Sequence, residues 1–225
     1  MKYFILTAFV LVATLLISQV IVANSSSDSE TIQYKVIEKK EGYEIRKYPK
    51  LTVATTKFNS NSYRENSRAG FRKIASYIFG GNSSNKQIAM TSPVQMDISE
   101  NASMSFFMPP EMALSDLPLP NRKDVTIRTE QAKIVAAIQF SGWASNDVLE
   151  EKYQELIAKL KAHNIAFEKG YSYLGYNPPY QIVNRKNEII VKLINYEAKT
   201  SESFINSTIF FLPHAQEIEH IKTAI

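Results

Sequence analysis

Three arginines, Arg64, Arg68 and Arg72, stand four residues apart. On a helix that spacing makes one stripe, and a guanidinium fork matches a carboxylate through two parallel hydrogen bonds. Phe71, Ala75 and Ile78 lie beside the stripe. Together they describe a helix surface able to hold a molecule with an apolar body and anionic groups. The same residues have a plainer reading, in which the arginines face water and Phe71, Ile74 and Ile78 belong to the core.

Other reactive types give less. Met90, Met96, Met104, Met108 and Met112 are close together. Methionines commonly fill irregular cores, but Met90 falls in a loop able to border the first helix. Tyr176 and Tyr180 supply phenols. Of three histidines, His214 and His220 are in the tail. His163 ends a helical stretch, where imidazole commonly answers the last carbonyls and the dipole. There is no Gly-rich phosphate loop, His-Glu-x-x-His or Gly-x-Ser-x-Gly. Glu150, Glu151 and Glu155 make a helix surface, and Asp97 and Glu188 flank strands without a role. Phe140 to Trp143 reads as a strand-to-helix turn with a packed indole. No catalytic residue and no metal ligand is assigned, so a binding protein is expected rather than an enzyme.

The chain has 225 residues, a formal net charge of +4 and no cysteine. Without cysteine there is no disulfide scaffold, cysteine nucleophile, Cys-type zinc site or cysteine-anchored lipid. Acidic and basic residues are interspersed, with no basic stripe for nucleic acid. A mild basic balance suits an anionic small ligand or a membrane surface.

Residues 1–23 read as a secretory signal: Lys2, then an apolar run from Tyr3 to Val22, then Ala23 before a polar stretch. Ile21 breaks the small-residue rule two places before Ala23, and the run approaches the roughly 20 residues that span a bilayer. An uncleaved anchor therefore stays open beside cleavage. The expectation is an exported, monomeric protein, periplasmic or extracellular, associated with a membrane through this segment if it stays uncleaved. Residues 24–33 form a tether, 34–195 the domain and 196–225 an extension. Phe204 to Leu212 in the extension is apolar but too short to span a membrane.

Positioning the helix requires its neighbours, and these show internal similarity. A shift of 82 residues aligns Ile45, Arg46, Val53, Ala54 and Phe58 with Ile127, Arg128, Val135, Ala136 and Phe140, all identities. Both windows have strand character. The same shift sets Phe71, Ile74, Ala75 and Ile78 on Tyr153, Leu156, Ile157 and Leu160, each set on one helical face. Ser145, Asn146 and Asp147 start the second helix. Gly80 and Gly81 end the first. Farther on, a shift of about 86 brings Thr91 to Met96 opposite Asn177 to Ile182, each leading toward a strand. The expected fold is α+β: two pseudo-symmetric βαββ-type repeats forming a distorted antiparallel β-barrel flanked by two helices.

Several motifs then resemble a known family. Gly70 to Asn82 (GFRKIASYIFGGN) is similar to the first-helix signature of SOUL domains, and Ile88 to Val94 (IAMTSPV) to their most recognisable motif. Phe107-Met108-Pro109, Leu117 to Pro120, Phe140-Ser141-Gly142, Tyr176 to Pro179 and Asn184 to Glu188 follow in the family's order. The resemblance covers about Tyr34 to Leu193. It implies the same duplicated fold and the binding of heme or another porphyrin, mostly without an obligatory axial ligand. It implies an apolar surface at the first helix and adjoining loops, with basic residues near the propionates. Carried over by position, Arg68 is the cation and Phe71 and Ala75 the lining; Arg72 from the same stripe, Met90 from its loop and the Tyr180 phenol complete the candidate cofactor-binding set. Ser76 and Gln181 stand where some members carry lysine. Two other readings stay open: a gyrase-inhibitor-like effector domain for small amphipathic molecules, and a tetrapyrrole-degrading enzyme. Fold alone does not choose among them.

Overall fold

The computed structural model describes residues 32–178 and 180–197, together with Thr14. The readings of residues 1–23 and of the extension beyond Glu197 otherwise lie outside these residues. The chain divides after Asn195 into two units, and the first holds the sheet and both helices. Among the described residues no helix is long and apolar enough to cross a membrane.

Nine strands form one antiparallel sheet: β1 (Lys35–Lys40), β2 (Tyr43–Tyr48), β3 (Leu51–Lys57), β4 (Val94–Ile98), β5 (Ser103–Phe107), β6 (Thr126–Glu130), β7 (Lys133–Phe140), β8 (Tyr171–Gly175) and β9 (Asn187–Lys192). Helix α1 (Tyr63–Ile78) follows β3, and α2 (Asn146–Ala162) follows β7. The strand order is β1-β2-β7-β9-β8-β4-β5-β3-β6. The sheet curls into a half-barrel whose edges, β1 and β6, do not pair with each other, so the expected barrel is open.

Ile45, Ala54, Ile127 and Ala136, which the shift of 82 aligns, lie in β2, β3, β6 and β7. Ile45 faces Ala136 in the β2–β7 pair, and Ile127 faces Ala54 in the β3–β6 pair. The second shift has no such counterpart. Thr91-Ser92-Pro93 runs into β4, whereas Asn177 and Pro178 follow β8, and Tyr180 to Ile182 is loop rather than strand.

Period-two alternation separates the two faces of each strand. In β2, Tyr43 and Ile45 are buried on the helix side, with Glu44, Arg46 and Tyr48 on the other. α1 packs on β3, β4 and β5; α2 packs on β7 and β9. Ile74, Ile78, Leu149, Leu156 and Leu160 are almost fully buried there with Met96, Phe106 and Ile189. Gly70 lets α1 approach the sheet: a Cβ there would stand 2.5 Å from the Phe58 ring and 3.1 Å from the Met104 sulfur. The opposite face carries a second cluster of Tyr48, Val135, Ala137, Leu174 and Ile190, overlaid by Ile32, Tyr34, Leu51 and Tyr176.

The second helix starts where the sequence places it, and both helices begin on a serine cap. Ser62 Oγ accepts from Glu65 N–H, and Ser145 Oγ accepts from Val148 N–H at 3.3 Å, each satisfying a helix-end donor. The two starts interlock: Asn146 Nδ2 donates to Ser62 Oγ (3.2 Å), and Arg64 N–H donates to Asn146 Oδ1 (3.3 Å). α1 ends at Phe79, before Gly80 at φ 103°, a left-handed conformation that glycine adopts without strain.

Candidate functional site

The arginine stripe is present and open. Arg64, Arg68 and Arg72 are exposed on α1, and none makes an ion pair with another described residue. The apolar residues beside it turn inward. The Phe71 ring packs at 5.2 Å, tilted, on the buried Phe106, and Ala75 is 8% exposed. Ile74 and Ile78 are core. Phe71 and Ala75 therefore support the arginine face from beneath, and a ligand's apolar body must find contacts elsewhere.

A set of exposed apolar side chains lies at the end of the fold where α1 begins. Trp143, Tyr180, Ile182 and Val183 are 57, 65, 55 and 41% exposed. An exposed group of large apolar side chains is uncommon on a soluble surface and marks a contact site. Trp143 sits in the turn between β7 and α2; the other three are in the β8–β9 loop. Arg185 joins the two segments, its guanidinium 4.3 Å from the Trp143 ring centroid. Its Nη1 donates to the carbonyls of Pro178 (3.0 Å) and Gln181 (2.7 Å), which folds the loop over it. Asn187 completes the join: Nδ2 donates to Gly142 O (2.9 Å) and Oδ1 accepts from Tyr173 OH (2.7 Å).

The first turn of α1 meets this cluster. Tyr63 packs edge-on against Tyr173 with centroids 5.2 Å apart. Burial raises both phenols above the usual tyrosine range, and the Arg185 charge partly opposes that shift in each. Met90, 41% exposed, sits in the α1–β4 loop, which meets the base of the β8–β9 loop where Ser92 Oγ donates to Tyr176 O (3.2 Å). Met90 and Tyr180 thus belong to adjoining loops. Two other exposed apolar side chains, Phe79 and Leu119, lie at the far end of α1.

Beneath the loop is a buried polar network. Glu188 is fully buried, and its carboxylate takes Arg46 Nη1 (2.8 Å) and Nη2 (3.2 Å). It also accepts from Tyr176 OH (2.8 Å) and pairs with Lys186 (3.3 Å). Tyr176 and Lys186 bracket the loop, so one carboxylate fastens both of its ends. Arg46 in turn stacks 4.3 Å over the Tyr34 ring. Burial first, and Glu188 next, push the Tyr176 phenol far above its ordinary range, so it stays a neutral donor.

Three of these groups differ from what sequence spacing suggests. Glu188 has a central part in the network rather than none. Trp143 is exposed instead of packed. Arg185 lies within the Asn184 to Glu188 motif, but no periodicity marks its side chain for a role. His163 stands apart at the end of α2, where its Nδ1 lies 2.7 Å from Tyr43 OH. Among the described residues no group of three acidic or histidine side chains is placed to hold a metal ion. The exposed Trp143 and Tyr180 rings and the α1 arginines are groups of the kind that a tetrapyrrole's flat body and carboxylates need.

The SOUL heme-binding protein family model matches residues 29–192. Heme-binding protein 2 of Homo sapiens is 30% identical over 169 residues, covering 71% of this chain and 82% of that protein. Heme-binding protein 1 of Xenopus laevis is 26% identical over 175 residues, covering 71% and 90%. Among solved structures, the EcmrR C-terminal domain has a TM-score of 0.52 at 11% identity, covering 73% of this chain and 100% of that one, a likeness of fold alone. With its helix signature, its loop motifs and most of its length matched, the chain belongs to the SOUL heme-binding protein family.

Proposed function

We propose that this protein binds heme or a related tetrapyrrole on the surface between the α1 arginine face and the β8–β9 loop. Its role would be sequestration or transport outside the cytoplasm. The observation that carries the reading is the exposed set Trp143, Tyr180, Ile182 and Val183 beside the start of α1, the helix that carries the exposed Arg64, Arg68 and Arg72. A porphyrin face needs apolar and aromatic contact. Its propionates need cations, which Arg68 and Arg72 offer with bidentate geometry. Met90 and Tyr180 border the ring, and Phe71 and Ala75 hold the arginine face on the core. Export rests on the residues 1–23 pattern alone.

The site is tested by charge and by contact separately. Hemin is titrated into the full-length chain and into Arg68→Glu and Tyr180→Ala, following the Soret band. Each exposed substitution is expected to weaken binding by roughly ten-fold, the loss of about 1.4 kcal/mol. Unchanged affinity in both variants would remove this surface as the site.

A further inference from the structure

A second recess lies on the other side of the Met90 to Ser92 segment. Ile32, Lys50, Leu51, Thr91, Met108 and Met112 contribute to its wall, and its volume is about 250 Å³. Backbone hydrogen bonds fix the wall: Ile32 N–H to Ser92 O (3.2 Å), Met108 N–H to Thr52 O (2.9 Å) and Met112 N–H to Pro109 O (3.0 Å). Ile32 and Leu51 connect it to the apolar cluster on the inner face of the half-barrel. The Thr91 hydroxyl donates to Phe107 O at 2.7 Å, which leaves that wall without a free donor from Thr91. Two methionines supply flexible, polarizable walls that adjust to an alkyl chain. Lys50 is exposed at the recess and pairs with no acidic side chain among the described residues.

Size and charge define the occupant. Sites for drug-sized ligands run from about 300 to 1,000 Å³, so a tetrapyrrole does not enter. We propose that this recess is a separate binding site for a short aliphatic monocarboxylate, its chain in the recess and its carboxylate on Lys50. The proposal does not rest on the tetrapyrrole reading.

The test uses the full-length chain with methionine methyl groups labelled for NMR, and hexanoate as the probe. Saturable shifts are expected at the Met108 and Met112 methyls. Hexylammonium, with the opposite charge, should leave them unmoved. Lys50→Met, an exposed change that leaves the core intact, should weaken hexanoate about ten-fold. Met112→Trp, which fills the recess, should abolish binding, and neither variant should alter hemin affinity. No saturable shift at Met108 and Met112, or equal responses to hexanoate and hexylammonium, would overturn the proposal.

Discussion

Arg46 on β2 and Glu188 on β9 join across the intervening strand β7 through two hydrogen bonds, 2.8 and 3.2 Å. Arg46 is 4% exposed and Glu188 not at all. Taking one partner from such a buried pair costs about 3–5 kcal/mol, a cost that Lys186 beside Glu188 and Glu44 beside Arg46 lessen. Arg46→Met is therefore expected to lower the urea midpoint strongly. Arg46→Met with Glu188→Leu should recover much of that loss. A double variant as unstable as the sum of its parts would mean the two residues act independently.

Glu188 also connects to the candidate site. Because it holds Tyr176 and Lys186 at both ends of the β8–β9 loop, Glu188→Gln should increase amide exchange across 177–186 and weaken hemin binding. Exchange in the last turns of α2, which end at His163 beside Tyr43, should stay close to its native rate. Uniform acceleration throughout the chain would indicate a purely global loss of stability.

Gly70 sets how closely α1 sits on β5. Gly70→Val brings branched carbons into the Phe58 ring and Met104. Overpacking of this kind costs about 1–3 kcal/mol, while Gly70→Ala is partly offset by a helix-propensity gain of up to about 1 kcal/mol. Thermal melting should order the three proteins with glycine highest and valine lowest. Valine at or above the native melting temperature would contradict the close approach.

Alkaline pH should unfold the domain through its buried phenols. Burial raises Tyr77 and Tyr171 to about 12, from 10.0 in the unfolded chain. The folded state thus keeps these protons longer. The stabilisation is complete below about pH 10 and is lost as pH rises through about 12. Tyr77→Phe, which removes the donor to Pro118 O, should flatten the decline of stability over that range. A slope equal to the native one would show that Tyr77 does not contribute.

Much of the fold can be read from spacing. Helix faces, the Ser145 cap and the paired strands around Ile45 and Ile127 follow from short-range periodicity and capping chemistry, which sequence expresses directly. β8 is harder to see, because its five residues, Tyr171 to Gly175, lie beside prolines that resemble a strand entry. The open barrel is not legible either, since whether β1 meets β6 depends on accumulated twist. For the site, the arginine stripe shows as i, i+4 spacing. That Phe71 turns to Phe106 does not, because exposure is decided by where the sheet lies. Arg185 over Trp143 and Arg46 on Glu188 join residues far apart in sequence, and no local pattern encodes such partners.

Heme binding at the α1 and β8–β9 surface can be checked in a single titration of hemin into the full-length chain, following the Soret band and Trp143 fluorescence together. Trp143 is the single tryptophan of the sequence and stands within the proposed contact surface. A saturable Soret shift is expected at micromolar protein, with Trp143 quenched along the same binding curve. No saturable shift would contradict heme binding, and a saturable shift that leaves Trp143 emission unchanged would contradict its location.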